Sequence, residues 1–235
     1  MNEMLEKIYN LLIKIFNLLS DKVVKEPERT GKGWVKPDFV VVKGVKFKTH
    51  GQYRTNSGKA KGLVVHYTVS GSEATNAQGV VKYLSSKGLG CMVMDAYGTI
   101  YIPEGFDVEK SVAYHAGTSS WQGASGISRY CMGMEICNWG LLNATSKKKV
   151  KKLRKSSGKH NIKAGEYEPY TPEQEEALVN FILWQKDSNP EFKIDWVVGH
   201  DEIAPTRKQD PGASLSMSMP EFREYLNRRV TNELA

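Results

Sequence analysis

Apolar positions recur over the first twenty-three residues with the spacing of a helix seam. Leu5, Ile8, Leu12, Ile15 and Leu19 alternate steps of three and four, the period that keeps one helical face turned to a partner. Met4, Leu11 and Leu18 widen that face on one side, and Tyr9, Phe16 and Val23 on the other. Glu3, Glu6, Lys7, Asn10, Lys14, Asn17 and Asp21 keep to the opposite face. So wide an apolar face has to dock on something. Self-association is the preferred reading, ahead of docking on the chain's own domain and of membrane-surface binding. Lys14 and Asn17 argue against a transmembrane span. The early acidic residues, and the lack of a small-residue cleavage site, argue against a signal peptide.

Residues 21–37 are charged and broken by Pro27, Gly31, Gly33 and Pro37, the pattern of a linker. Residues 39–42 and 45–47 then read as a short pair of strands around Lys43-Gly44. Residues 49–61 are polar and turn-rich, which puts His50 on the surface. The pattern next changes to short continuous apolar runs. Residues 62–68 form a buried strand. Residues 75–87 form a helix through Ala77, Val80, Val81 and Leu84 that stops at Gly88. Residues 92–94 and 99–102 form a hairpin with Gly98 in its turn, and residues 112–117 and 132–137 are two further strands. Thr171-Pro172-Glu173-Gln174 opens a helix with a capping box and proline at its first position. Ala177, Leu178, Phe181, Ile182 and Gln185 give that helix one mainly apolar face. Trp196-Val197-Val198 is a short buried strand. Residues 219–229 form a closing helix with Phe222, Tyr225 and Leu226 inward, and Arg228 and Arg229 outward. The expected division is an amphipathic helix over 1–24, linker and short strands over 25–45, and the main domain over 46–235.

Composition narrows the partners. The 235 residues, 40% hydrophobic and 25% charged, suit one sizeable globular domain with a small appendage. The net charge of +7 favours nucleic acid, an anionic membrane or a cell-wall polymer. Much of it sits in residues 146–163, with Lys147, Lys148, Lys149, Lys151, Lys152, Arg154, Lys155, Lys159 and Lys163. That run reads as a solvated, mobile loop, with a hook for anionic wall polymers as the other reading. It holds no aromatic residue on which single-stranded bases could stack, so nucleic acid is not an expected partner. Cys91, Cys131 and Cys137 show no CxxC spacing and are odd in number. They read as small buried hydrophobes rather than a disulfide framework.

Three stretches carry candidate chemistry. His66 closes the buried strand Gly62-Leu63-Val64-Val65-His66-Tyr67. Glu135 is the one charge in Met132-Gly133-Met134-Glu135-Ile136-Cys137, and a carboxylate inside an apolar strand needs a partner or a task. The strand at residue 198 runs into Gly199-His200-Asp201-Glu202-Ile203-Ala204-Pro205-Thr206-Arg207-Lys208-Gln209-Asp210-Pro211-Gly212, a rigid loop by its prolines. His200 and Asp210 alone are not a site. With His66 they become two imidazoles and a carboxylate, a set that suits zinc with its fourth position open, as in catalytic sites.

Five pieces in order, VVHYT, YGTIY, YHAG, GMEI and GHDEIAPTRKQDPG, resemble the zinc-dependent N-acetylmuramoyl-L-alanine amidases of the amidase-2 or peptidoglycan-recognition family. The resemblance covers roughly the last three-quarters of the chain and is strongest to the bacterial and phage branch with an aspartate third ligand. It implies an α/β fold with a mixed central sheet flanked by helices. It implies zinc on His66, His200 and Asp210, a catalytic Glu135, an oxyanion-stabilising Lys208, and His115 as a substrate contact in the cleft. Two departures stand out: Gly90 occupies the place of a tyrosine that is catalytic in one branch, and residues 146–163 are longer and more basic than usual. The implied substrate is peptidoglycan, cut between N-acetylmuramic acid and L-alanine. The alternative is a non-catalytic peptidoglycan-binding module of the same fold. Such binders often lack the third ligand, so Asp210 together with Glu135 and Lys208 favours the enzyme. A product made in the bacterial cytoplasm, with no signal peptide, that acts on the cell wall is expected, as a phage lysis enzyme or virion component.

Overall fold

The computed structural model of the chain describes residues 33–49, 58–71, 76–90 and 92–232. The amphipathic segment 1–23, His50 and Cys91 lie outside the described residues. The short apolar runs become the centre of a single sheet. Its strands are β1 (Phe39–Lys46), β2 (Gly62–Tyr67), β3 (Met92–Met94), β4 (Ile100–Glu104), β7 (Cys131–Ile136) and β10 (Val197–Gly199), in the spatial order β1-β4-β3-β7-β2-β10. Neighbours are parallel except for the β3–β4 hairpin. Parallel strands covered on both faces have no solvated side to mark with polar residues. This is why Leu63, Val64 and Val65 are all fully buried. Two small ribbons stand outside the sheet: β5 (Ser120–Trp121) with β6 (Ala124–Ser125), and β8 (Arg154–Ser156) with β9 (Gly165–Tyr167).

Helices cover the sheet unevenly. On one face α2 (Pro172–Ser188) and α4 (Met219–Asn232) bury Leu178, Phe181, Ile182, Phe222 and Leu226 against Leu63, Val65, Met132 and Met134. On the other, α1 (Ala77–Ser86) packs Ala77, Val81 and Leu84 with Val42 and Val93. The start of α2 is pinned by the expected capping box. The Gln174 backbone N–H donates to Thr171 Oγ1 and the Thr171 N–H to Gln174 Oε1, both at 3.0 Å. The buried Gln174 amide also donates to the carbonyls of Asp95 and Cys137, which ties the helix to the hairpin turn and to the end of β7. Phe181 is fully buried and meets Phe39 edge-on at 6.4 Å between centroids. Phe181→Ala should therefore cost about 3–5 kcal/mol. In guanidinium unfolding this would appear as a lower midpoint with an unchanged slope. Among the described residues, no helix is long and apolar enough to cross a membrane.

Four expectations change. Residues 39–46 form one strand, not a pair. The chain passes Lys43-Gly44 with a break in register instead of a turn, because Glu104 of the neighbouring strand holds both the Gly44 and the Phe47 N–H groups. Residues 112–117 form no strand, since their backbone is engaged by side chains instead of a ladder. The basic stretch is no loose loop. Arg154 in β8 donates to the carbonyls of Ala213 and Ser214 at 3.1 and 2.9 Å, Lys147 pairs with Glu166, and Lys149 lies over the Trp139 ring. Arg229 does not face outward; its guanidinium lies over Trp34 and donates to the Tyr225 hydroxyl.

Candidate active site

Side-chain alternation sorts the centre of the sheet into two faces. In β2, Leu63 and Val65 point to the α2 side, so Val64 and His66 point away from it. In β7, Met132 and Met134 likewise leave Glu135 on the opposite face. The parallel register sets His66 directly beside Glu135. The carboxyl end of β10 delivers the third strand's contribution at the same edge. Here the chain enters a single helical turn, α3 (His200–Ile203), instead of the irregular loop expected, and His200 is its first residue. The loop then returns Asp210, tied back by the Asp201 N–H donating to the Asp210 carbonyl at 2.8 Å.

The return loop is braced from behind. Arg154 holds two of its carbonyls, and the Tyr170 N–H donates to the Ser214 carbonyl. Gly212 has φ +51°, and a Cβ there would stand 2.6 Å from the Tyr167 ring, so glycine is required both by the backbone and by the close approach. The residues that position Asp210 thus include two in the basic stretch and its flanking strand. Sequence reasoning placed Arg154 only in the basic run and gave Tyr167 no role.

Three of the expected side chains meet. His66 Nδ1 lies 2.8 Å and His200 Nδ1 3.0 Å from the same oxygen, Asp210 Oδ2. Each of these three residues offers a ligand atom within 4.8 Å of the other two. All three are buried. His200 Nε2 faces the Ala116 carbonyl at 3.1 Å, with Arg207 Nη2 farther off at 3.5 Å, so in the neutral ring Nε2 carries the proton and Nδ1 is left bare. Two imidazole nitrogens and one carboxylate oxygen form a donor set that fits zinc. Burial, with His200 alongside, lowers the His66 pKa to about 4 against the pull of Asp210, so the ring is neutral and free to ligate at pH 7. Burial opposes ionisation of Asp210, but the His200 and His66 rings set against it hold its carboxyl well below the usual range.

Glu135 completes the arrangement. Its Oε2 is buried with no hydrogen-bond partner, which is costly unless something else enters the site. Burial raises its pKa to about 8, helped by the negative charge of Asp210 and opposed by the positive charge of Lys208. Lys208 acts electrostatically on both His66 and Glu135. The sixth expected residue, His115, touches the cluster from outside. Its Nδ1 is 3.0 Å from His66 Nε2 and its Nε2 is 3.0 Å from the Cys131 carbonyl. Both nitrogens face groups of the protein. Sequence reasoning assigned no role to Arg207, within the quoted motif, which donates to the carbonyls of Ala116 and Thr118 at 2.7 and 2.9 Å.

Residues 56–213 match the family described as N-acetylmuramoyl-L-alanine amidase. The chain is 30% identical over 176 residues to the N-acetylmuramoyl-L-alanine amidase AmiD of Escherichia coli K12, a stretch that covers 74% of this chain and 56% of the relative. The chain therefore spans little more than half that protein's length. Among solved structures, one of AmiD with an anhydro-N-acetylmuramic acid tripeptide substrate is similar at 27% identity. It covers 66% of this chain and 53% of that one, with a TM-score of 0.46. Bumblebee PGRP-SA, at 14% identity and a TM-score of 0.50 over 81% of this chain and 96% of that one, shares the fold. With its mixed sheet and the matched span of residues 56–213, the chain belongs to the N-acetylmuramoyl-L-alanine amidase family.

Proposed function

We propose that this protein is a zinc-dependent peptidoglycan hydrolase that cuts the amide bond between the lactyl group of N-acetylmuramic acid and L-alanine. The observation that carries the reading is the buried, unpartnered Oε2 of Glu135, on a residue set in register beside His66 of the three-donor cluster. A module that only bound muropeptides would have no need of a buried base at that point. His66, His200 and Asp210 would hold the metal. When bound, zinc supplies Lewis acidity to the scissile carbonyl and makes water acidic enough to ionise near neutral pH.

The chain's own groups do the rest. Glu135 receives a proton from the attacking water and returns it to the departing alanine nitrogen, a shuttle suited to a buried carboxyl whose pKa lies near working pH. Lys208 offers a fixed positive charge to the oxyanion that develops as the carbonyl is attacked. Its backbone N–H donates to the Ala204 carbonyl at 2.9 Å, which anchors the residue at the base of the return loop. Lys208→Ala should keep zinc and lose about 10²–10³ in kcat, the usual effect of removing one oxyanion donor. Steady-state kinetics on a soluble muropeptide, with metal content measured on the same sample, test this.

The activity itself is tested by digesting defined muropeptides and weighing the products. Release of an intact stem peptide beginning with alanine supports the reading, whereas binding without cleavage would make the protein a recognition module. Action on the wall as a phage lysis enzyme or virion component belongs to the same proposal.

A further inference from the structure

His66 and His200 each turn one nitrogen toward Asp210 and one away, and the outward nitrogens decide which form of each ring faces the metal position. For His200 the outward Nε2 meets the Ala116 carbonyl, an acceptor only, at 3.1 Å and the Arg207 Nη2 donor only at 3.5 Å, so in the neutral ring the proton is on Nε2. His66 has no such carbonyl. Its Nε2 meets another imidazole, His115 Nδ1, at 3.0 Å, with the two rings edge-on at 84°. Either nitrogen of that pair could donate if it were isolated. The choice is made one step further out, where His115 Nε2 faces the Cys131 carbonyl at 3.0 Å. That nitrogen must carry the proton, and a neutral imidazole has only one. His115 Nδ1 is then an acceptor, His66 Nε2 donates to it, and His66 Nδ1 is left bare toward Asp210.

We propose that His115 is a positioning residue that fixes the tautomer of His66, and that residues 115–118 act as one brace for both ligand histidines. The inference rests on the metal reading above. The brace is itself held. Ser128 Oγ accepts from the N–H groups of His115 and Ala116 at 3.1 and 2.8 Å. Arg207 holds the carbonyls of Ala116 and Thr118 from the other side. The Ala116 carbonyl has two lone pairs and serves both His200 and Arg207. Gly117 has φ +57°, and a Cβ there would stand 3.2 Å from Arg207 Nη2, so glycine lets the guanidinium approach closely. Partners of this kind orient the ligand ring, and their loss typically weakens metal binding about 10–100-fold.

The test uses the full chain, loaded with zinc and titrated against a chromogenic chelator. His115→Phe keeps a flat ring but removes the acceptor, and should weaken zinc binding about 10–100-fold. His115→Asn places an amide oxygen near the position of Nδ1 and should recover most of that loss, which a purely space-filling role would not require. Nitrogen-15 spectra of the zinc-loaded wild type should show His115 neutral, with its proton on Nε2, and His66 protonated on Nε2. Wild-type zinc affinity in His115→Phe, or a His115 proton on Nδ1, overturns the inference and leaves the metal reading standing. A wild type that takes up no zinc overturns the metal reading and this inference with it.

Discussion

His66→Ala is expected to release the metal and bring muropeptide hydrolysis to background in the same sample. The residue is one of three donors within 4.8 Å of one another, and no described histidine stands ready to replace it. His115 reaches only its outward nitrogen. His200 and Asp210 would remain as a two-donor fragment too weak to retain zinc through gel filtration. Metal content by mass spectrometry, with circular dichroism as a check on folding, separates a lost ligand from a lost fold. A variant that hydrolyses at full rate without zinc would remove His66 from the metal centre and leave the proposed chemistry without its Lewis acid.

Glu135→Gln should have nearly as large an effect on turnover and almost none on binding. The change keeps size and shape on a strand that is otherwise apolar, so zinc content and muropeptide affinity should match the parent protein. What disappears is a group able to take a proton and give it back. General acid–base catalysis of this kind contributes about 10²–10⁴-fold, and kcat should fall by that much. The pH profile adds an independent check. A base acts only when ionised, so the rate should rise with pH through the pKa of Glu135. Burial raises that pKa to about 8 in the metal-free chain. Extra positive charge in the site pulls it lower, so the rising limb should lie below about 8 and vanish in Glu135→Gln. Near-parental turnover in the Gln variant would transfer the proton shuttle to another residue.

The parts that could be read from the chain are those where local pattern and tertiary need agree. The apolar runs around Leu63 and Met132 are buried on both faces and advertise it. Thr171-Pro172-Glu173-Gln174 states a helix start in four residues, and the structure shows both of its hydrogen bonds. His66, His200 and Asp210 were readable because each lies in a motif of fixed residue types. Illegible features depend on partners distant in sequence. The strand Arg154–Ser156 has no apolar alternation, and what orders it is Arg154 reaching carbonyls 59 and 60 residues away. Lys43-Gly44 resembles a turn in isolation and becomes a bulge only because Glu104 occupies the N–H groups of Gly44 and Phe47. Residues 112–117 are apolar enough for a strand, but Ser128 and Arg207 take the backbone groups that a ladder would need. Arg207 and the bracing role of His115 were hidden for the same reason.

The register that sets His66 beside Glu135 also dictates when the centre can exist. His66 and Asp210 are 144 positions apart along the chain, while His200 and Asp210 are only 10 apart. An unfolded chain can therefore offer zinc the second pair but not the first, and Glu135 joins only after β2 and β7 have zipped together. Non-local parallel pairing of this sort forms slowly, so metal uptake has to wait for the sheet. On the proposed zinc reading, nearly all the affinity of the finished centre would count as folding free energy, with each tenfold rise in zinc above its dissociation constant adding about 1.4 kcal/mol. Zinc would act here as a latch that closes on a completed fold, not as a seed on which the fold grows.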